Sequence, residues 1–160
     1  MILHQAGPAD LPAIARLHAE CFIRAWDEAF LARLLAAPGA VAFVGTRSDA
    51  VAGFVLSRAA AGEAEIVSLG VSPGLRRRGI GAQLVRAVCR RAFEAGVLEV
   101  FLEVSVTNAA AQALYAGLGF CEVGRRPDYY EEAVGAARDA LVLGRALPIR
   151  APAFSGPKPL

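Results

Sequence analysis

Residues 71–81 read VSPGLRRRGIG, and this stretch decides the fold. An apolar strand ends at Val71, a loop carries three consecutive arginines, and a helix with an apolar stripe begins just after them. The first backbone N–H groups of a helix lack acceptors within the helix, so they attract anions. Glycines at 79 and 81 let a phosphate approach the main chain, and arginine side chains add charge-assisted hydrogen bonds. The stretch therefore predicts a cradle for a diphosphate.

Three other interpretations of this loop fit less well. A P-loop needs Gly-Lys followed by Ser or Thr, and the loop contains no lysine. The dinucleotide fingerprint needs a third glycine where Leu84 stands, and a helix directly after the strand. A solvated basic turn needs no ligand, but arginines at the positive end of a helix dipole are electrostatically unfavourable. Three arginines in a row at that place therefore favour a bound anion.

The spacing of apolar residues divides the chain into strands and helices. Runs of period two predict strands, and runs of period 3.6 predict helices. The predicted strands are 2–5, 41–46, 51–58, 63–71, 98–106, 120–123 and 140–143, and the predicted helices are 11–21, 27–36, 78–95 and 108–116. Hairpins thus alternate with crossover helices. This order predicts an α/β (α+β) fold in which helices cover a mixed sheet.

Length and composition limit the number of domains. The chain has 160 residues, of which 56% are hydrophobic, and this suits one domain, which we expect over residues 1–147. Residues 148–160 hold four of the nine prolines and are expected to form a mobile tail. A formal net charge of +2 gives no argument for a nucleic-acid partner.

The sequence also argues against membranes, metals and disulfides. No stretch approaches the ~20 apolar residues that a membrane span needs. Residues 1–5 do not begin a secretory signal, so we expect a cytoplasmic protein. The three cysteines, at 21, 89 and 121, and the two histidines, at 4 and 18, have no metal-ligand spacing. We therefore expect free thiols and no metal.

Glu103 is a candidate general base. It lies on one face of the predicted strand 98–106, with Phe101 and Ser105, while Leu102 and Val104 lie on the other face. A carboxylate deep in a strand must be satisfied by partners or have its pKa raised, and such a group suits proton abstraction. A glutamate that simply reaches water from the end of a strand fits the pattern equally well.

The stretch from Asn108 to Phe120 predicts a short, alanine-rich helix. Asn108 suits the N-cap, and this needs no function. Tyr115 follows about two helical turns later. From the residues alone, Tyr115 is a packing residue with its hydroxyl at the surface.

These motifs together resemble the GNAT N-acetyltransferase superfamily over about residues 2–147. The run Arg76 to Gly81 resembles its acetyl-CoA pyrophosphate loop, Gln/Arg-x-x-Gly-x-Gly/Ala, and Asn108, Tyr115 and Gly119-Phe120 resemble its second cofactor-side helix. Within the superfamily the chain is most similar to the bacterial ribosomal-protein alanine N-acetyltransferases. Three further features carry that likeness: Leu102-Glu103-Val104 before Asn108, Cys21-Phe22 before Trp26, and Arg126-Pro127-Asp128-Tyr129-Tyr130 before Asp139-Ala140-Leu141.

The resemblance implies a GNAT fold, with a mostly antiparallel sheet of six to seven strands and about four helices. It also implies acetyl-CoA as co-substrate and a role for each matching position. Main-chain groups of Leu69, Gly70 and Val71 would bind the pantetheine arm; Arg76, Arg77, Arg78, Gly79, Ile80, Gly81 and Ala82 would hold the diphosphate; Asn108 would contact the cofactor; Glu103 would be the general base through water; and Tyr115 would be the general acid on the departing thiolate. The hairpin 47–62, the loop 131–138 and the tail depart from the family pattern, so substrate details are less well defined than acetyl transfer.

The chemistry of the acceptor favours a protein N-terminus over a lysine. An α-amino group has a pKa of about 7.7–8.0 against about 10.4 for lysine, so at pH 7 roughly a tenth of α-amines are neutral, but only a few in ten thousand lysine amines. One glutamate acting through water suffices for the α-amine. Together with the resemblance, this leads us to expect acetyl transfer to the N-terminal peptide of a ribosomal protein, at an N-terminal alanine in the small subunit, with no direct contact to nucleic acid or membrane.

Other functions remain open from the sequence. One is a GNAT enzyme that acetylates a small-molecule amine or another protein, and another is an acyl-CoA sensor without catalysis. A nucleic-acid binder fits less well, because no aromatic residues are interleaved with the arginines. A covalent acetyl-cysteine route through Cys89 or Cys121 is weaker, since neither has a paired histidine. Tyr129 and Tyr130 are interpreted either as a substrate clamp or as an aromatic pair at a strand edge.

Overall fold

The computed structural model describes residues 1–130 and 139–148. Its strands are β1 (Ile2–Gln5), β2 (Ala40–Arg47), β3 (Ala50–Ala60), β4 (Glu63–Val71), β5 (Glu99–Ser105), β6 (Cys121–Arg126) and β7 (Ala140–Ala146). Its α-helices are α1 (Leu11–Cys21), α2 (Glu28–Ala36), α3 (Ile80–Glu94) and α4 (Ala109–Gly117). The predicted loop 131–138 and nearly all of the predicted tail lie outside the described residues.

The strands form one mixed sheet in the order β1-β2-β3-β4-β5-β7-β6. All neighbouring strands are antiparallel except β4 and β5, which are parallel and are joined through α3. The predicted fold class, with a mostly antiparallel sheet and four helices, is confirmed. The predicted start of one strand was wrong: Leu98 precedes β5 and is 54% exposed. Its N–H donates to the carbonyl oxygen of Gly62, in the turn before β4.

Helices cover both faces of the sheet, and alternation along β3 shows which helices lie on which face. Val55 packs with the residues of α3, such as Leu84, in the larger core. Its neighbours Phe54 and Leu56 pack with Ile14 of α1 and the residues around it, in a second core. Because successive strand residues point to opposite faces, α3 lies on one side and α1 and α2 on the other.

The sheet opens between its two parallel strands. The register of β4 against β3 skips Val67, since Leu56 pairs with Ser68 and Ser57 pairs with Ile66. Such a bulge bends a strand and increases its twist. The pairing of β4 with β5 ends at Ile66 and Leu102, so the last residues of the two strands are no longer hydrogen-bonded neighbours. Leu69–Val71 and Glu103–Ser105 therefore lie on opposite sides of an opening.

His18 is a buried polar group that joins α1 to the loop after it. It is 2% exposed, and its ring stacks with Phe22, Trp26 and Phe54 at centroid distances of 4.4, 4.6 and 5.8 Å. Its Nδ1 accepts a hydrogen bond of 3.1 Å from the backbone N–H of Trp26. That bond requires an unprotonated Nδ1, and burial lowers the pKa of the imidazole.

The lowered pKa of His18 predicts that stability falls as the pH drops from 7.5 to 5. His18 in the unfolded chain binds a proton near pH 6.5, whereas the folded chain binds it only at lower pH. The free energy of unfolding therefore falls by at most about 1.4 kcal/mol for each pH unit of acidification. His18→Asn keeps an acceptor for Trp26 and removes the titration, so we expect a flatter pH dependence on a lower baseline. Urea unfolding at several pH values measures both.

Two carboxylates do not interfere with this test. Hydrogen bonds from the N–H groups of Gly7 and Asp128 hold the pKa values of Asp10 and Asp139, respectively, below their usual range, so both groups titrate at lower pH. If His18→Asn retained the pH dependence of the natural chain, the assignment to His18 would be wrong.

Candidate active site

A cavity of about 590 Å³ lies where the sheet opens, between the end of β4 and the first turns of α3 and α4. This volume is in the range of small-molecule sites. The structure brings ten of the eleven predicted cofactor-binding residues to its walls: Leu69, Gly70, Val71, Arg76, Arg77, Gly79, Ile80, Gly81, Ala82 and Asn108. The eleventh, Arg78, is exposed and is not among the lining residues.

The loop before α3 has a left-handed backbone at two positions. Arg77 has φ +63° and Gly79, the N-cap of α3, has φ +77°. An arginine in this region is uncommon, and such strain is maintained where the surrounding structure requires it. The N–H groups of Ile80, Gly81 and Ala82 begin the helix and have no acceptor one turn earlier within it. The start of α3 thus offers donors and a positive dipole end to an anion.

Gly81 keeps the cavity open between α3 and α4. A Cβ at this position would lie 3.3 Å from Cδ2 of Leu114 and 3.7 Å from Cγ2 of Val71. A longer side chain would project between the two helices. The absence of a side chain at Gly81 therefore fits a ligand that passes close to the main chain.

Arg76 contacts the protein rather than open space. Its Nε donates to the carbonyl oxygen of Val71 at 3.2 Å, and its Nη2 lies 3.9 Å from Sγ of Cys21. Cys21 Sγ also lies 3.5 Å from the same carbonyl oxygen. The two side chains thus fix the end of β4. The sequence analysis used Cys21 only for the family likeness and did not predict its place in the site, where it is partly buried and lines the cavity.

The first turn of α4 forms the other wall. Asn108 caps this helix, with its Oδ1 accepting from the N–H of Ala111 at 3.1 Å. Gln112 donates from Nε2 to the carbonyl oxygens of Ser105 and Val106, both at 3.0 Å. These bonds tie α4 to the end of β5, a role of Gln112 that sequence reasoning also missed. Asn108 therefore positions the helix as well as lining the cavity.

Glu103 lies on β5, across the opening from the end of β4. Its side chain is 16% exposed, and its Oε1 lies 2.5 Å from Nη1 of Arg126. The hydroxyl of Tyr129 is also hydrogen-bonded to it. The sequence left open whether this carboxylate is satisfied by partners or simply reaches water, and the structure shows that partners satisfy it. Sequence reasoning missed the role of Arg126, whose only signal was the run from Arg126 to Tyr130.

A second cavity, of about 420 Å³, lies beside Glu103 on the face of the sheet that α1 and α2 partly cover. Arg58, Glu63, Glu65 and Phe101 are among its other lining residues. The first cavity and Glu103 are thus reached from different sides of the opening between β4 and β5. This arrangement allows two molecules to meet there from opposite directions.

Tyr115 is buried on α4, next to the cavity residue Leu114. It is 6% exposed and makes an edge contact with Phe120 at 5.6 Å between ring centroids. Burial, together with the nearby Tyr130, raises the pKa of its phenol well above the usual range. The phenol therefore stays protonated at neutral pH. It does not line the first cavity itself.

Adjacent tyrosines of one segment connect the two candidate catalytic groups. The rings of Tyr129 and Tyr130 make an edge contact at 4.8 Å. Tyr129 reaches Glu103, and Tyr130 is close enough to Tyr115 to influence its titration. The segment after β6 thus borders both Glu103 and Tyr115, in addition to forming the aromatic pair that was one of the two interpretations of Tyr129 and Tyr130.

Residues 1–130 and 139–148 contain neither a candidate metal-binding group nor a candidate membrane-spanning helix. No three His, Cys, Asp or Glu side chains in this part of the chain are grouped as they would be around a metal ion. None of its helices combines the length and apolar character needed to cross a membrane.

Residues 11–120 match the family model described as the acetyltransferase (GNAT) family. Over 104 residues the chain is 38% identical to the ribosomal protein bS18-alanine N-acetyltransferase of Salmonella typhimurium, which covers 65% of this chain and 68% of that protein. Over 129 residues it is 39% identical to the N-alpha-acetyltransferase RimI of Mycobacterium tuberculosis, which covers 76% of this chain and 79% of that protein.

A solved structure extends the likeness to nearly the whole chain. The ribosomal-protein-S18-alanine N-acetyltransferase from Escherichia coli superposes with a TM-score of 0.83 at 26% identity, over 97% of this chain and 99% of that one. The likeness in fold thus extends over nearly the whole chain.

Proposed function

Because the chain belongs to the GNAT acetyltransferase family, we propose that it transfers an acetyl group from acetyl-CoA to the N-terminal α-amine of a protein. The acceptor is the N-terminal alanine of a small-subunit ribosomal protein, and the reaction takes place in the cytoplasm. The observation that carries this proposal is the identity of 38–39% to enzymes named for N-terminal acetylation, together with a cavity lined by the arginine- and glycine-containing loop before α3.

The first cavity suits coenzyme A as the bound form of the acetyl group. The start of α3 offers N–H donors and arginines to the diphosphate, with Gly81 leaving room for its approach. Pairing between β4 and β5 ends before Leu69, so the main-chain groups of Leu69–Val71 on this edge, apart from the Val71 carbonyl that Arg76 contacts, are available to a pantetheine arm laid along the strand. The same groups would polarise the thioester carbonyl, as oxyanion donors do in acyl transfer.

The second cavity suits the acceptor. The amine nitrogen attacks the thioester carbonyl carbon, a C–N bond forms, and the C–S bond breaks. Glu103 takes the proton of the amine through a water molecule, and Tyr115 gives its proton to the departing thiolate. One carboxylate is sufficient for an α-amine, which is partly neutral at pH 7.

Gly79→Val is expected to weaken the binding of acetyl-CoA by about tenfold or more. A β-branched residue at φ +77° costs roughly 1–2 kcal/mol, so the empty loop relaxes to another conformation and binding must restore the original one. Calorimetric titration with acetyl-CoA measures the change in Kd. Gly74→Val is the matched control, because Gly74 has an ordinary φ and, like Gly79, has open space at its Cβ. Equal affinity in the two variants would contradict the role of the loop.

Glu103→Gln and Tyr115→Phe are each expected to lower kcat by about 10²–10⁴-fold, the usual effect of removing acid–base assistance. The Kd of acetyl-CoA should change little, because neither side chain lines its cavity. Steady-state assays with an N-terminal alanine peptide, combined with calorimetry, separate the two quantities. Glu99→Gln, an exposed glutamate on the same face of β5, is expected to keep full activity. Unchanged turnover in both catalytic variants would remove the role assignment.

Deleting the gene is expected to remove one N-terminal acetyl group from the ribosomal proteins of the source organism. Intact-mass spectrometry of purified ribosomes would show a loss of 42 Da, the mass of an acetyl group (C₂H₂O), on a single protein that begins with alanine. Re-expression of the natural chain should restore the mass, and Glu103→Gln should not. An unchanged set of masses would contradict a ribosomal acceptor, and a screen of the purified enzyme against peptides and small amines would then identify the acceptor class.

A further inference from the structure

Arg126 forms a compact arrangement with the proposed base. Its Nη1 lies 2.5 Å from Oε1 of Glu103, and its guanidinium carbon lies 4.7 Å from the centroid of the Tyr129 ring. Tyr129 also hydrogen-bonds Glu103, so ring, guanidinium and carboxylate contact one another pairwise. The Arg126 side chain is 58% exposed, whereas that of Glu103 is 16% exposed. The charge that compensates the half-enclosed carboxylate is thus supplied from the solvent side.

The backbone that carries these groups is anchored independently of Glu103. Asp139 accepts a hydrogen bond of 2.8 Å from Nε of Arg125 and one of 3.1 Å from the N–H of Asp128. Asp128 has φ +54°, a conformation that needs such support. Arg126 is the last residue of β6 and lies just before this turn, and Tyr129 lies just after Asp128. The backbone that carries Arg126 and Tyr129 is therefore held by hydrogen bonds that do not involve Glu103.

Several charged and titratable groups surround this contact. Arg126, the last residue of β6, and Tyr129, in the segment after it, face Glu103. Glu65 of β4 influences the titration of Arg126, and Arg58 of β3 lines the second cavity with Glu103. Burial and the bond to Glu103 raise the pKa of Tyr129 to about 12, so it stays a neutral donor. The hydrogen bond to Glu103 raises the pKa of Arg126 further above its usual value, so Arg126 stays a cation. Neither changes charge between pH 5 and 9.

We propose that Arg126 is a positioning residue for the acetyl transfer: it orients the Glu103 carboxylate toward the acceptor cavity. The inference rests on the proposed function above. A carboxylate has about four lone-pair positions, and one bond from Arg126 and one from Tyr129 leave room for a water molecule or the amine. Because a guanidinium does not lose its proton, Arg126 cannot act as the base itself. Its stacking on Tyr129 limits the directions in which the carboxylate can turn.

The test compares Arg126→Gln and Arg126→Lys with the natural chain. In Arg126→Gln the Glu103 carboxylate loses the charge-assisted hydrogen bond that fixes its direction. We expect kcat to fall about tenfold, as for the loss of one such bond, with the Kd of acetyl-CoA unchanged. Arg126→Lys keeps the charge without the planar stacking, so it should restore only part of kcat.

Arg90→Gln is the matched control, because it removes an exposed arginine of α3 that lines neither cavity. It should keep the kcat and the acetyl-CoA Kd of the natural chain.

Two results would overturn the inference: a natural kcat in Arg126→Gln, or an Arg126→Lys variant whose kcat is no higher than that of Arg126→Gln. Failure of the proposed function looks different, because the natural chain would then acetylate no α-amine at all.

Discussion

The separation of β4 from β5 is the constraint on which the rest of the site depends. A single unmatched residue, Val67, bends β4, and the ladder between the two parallel strands stops at Ile66 and Leu102. A sheet with complete pairing would bury all of its backbone groups and leave no passage between its faces. Here the interrupted ladder leaves strand-end groups on both sides of an opening, held in place by the other strand pairs of the seven-stranded sheet.

Each side of the opening has a distinct electrostatic character. On one side, the start of α3 combines a helix dipole with arginines and a left-handed turn, and this favours an anion. On the other side, Glu103 is held between Arg126 and Tyr129 and borders a cavity that also contains Glu63 and Glu65. The first side suits the phosphates of coenzyme A and the second suits an amine. The separation of charge thus matches the two substrates of the proposed reaction.

The candidate site was partly predictable, and the division follows sequence distance. The diphosphate loop, the cap at Asn108 and the tyrosine two turns later are local patterns, in which residues a few positions apart are necessarily close in space. Cys21 lies 50 residues from Val71, whose carbonyl its thiol contacts, and Arg126 lies 23 residues from Glu103. No periodicity or spacing rule connects such pairs, because their proximity is a product of strand order.

The sequence by itself determined the types of the elements, their order and the mixed sheet, since apolar periodicity and turn residues act over a few positions. It also predicted an anion site before α3, because a helix start with arginines and glycines favours anions in any fold. Only the tertiary structure decided that Glu103 is satisfied by an arginine and that Leu98 is exposed. It also decided that two cavities approach one opening from opposite faces. These outcomes depend on where a bulge bends β4 and on β7 lying between β5 and β6, and both are properties of the packed sheet.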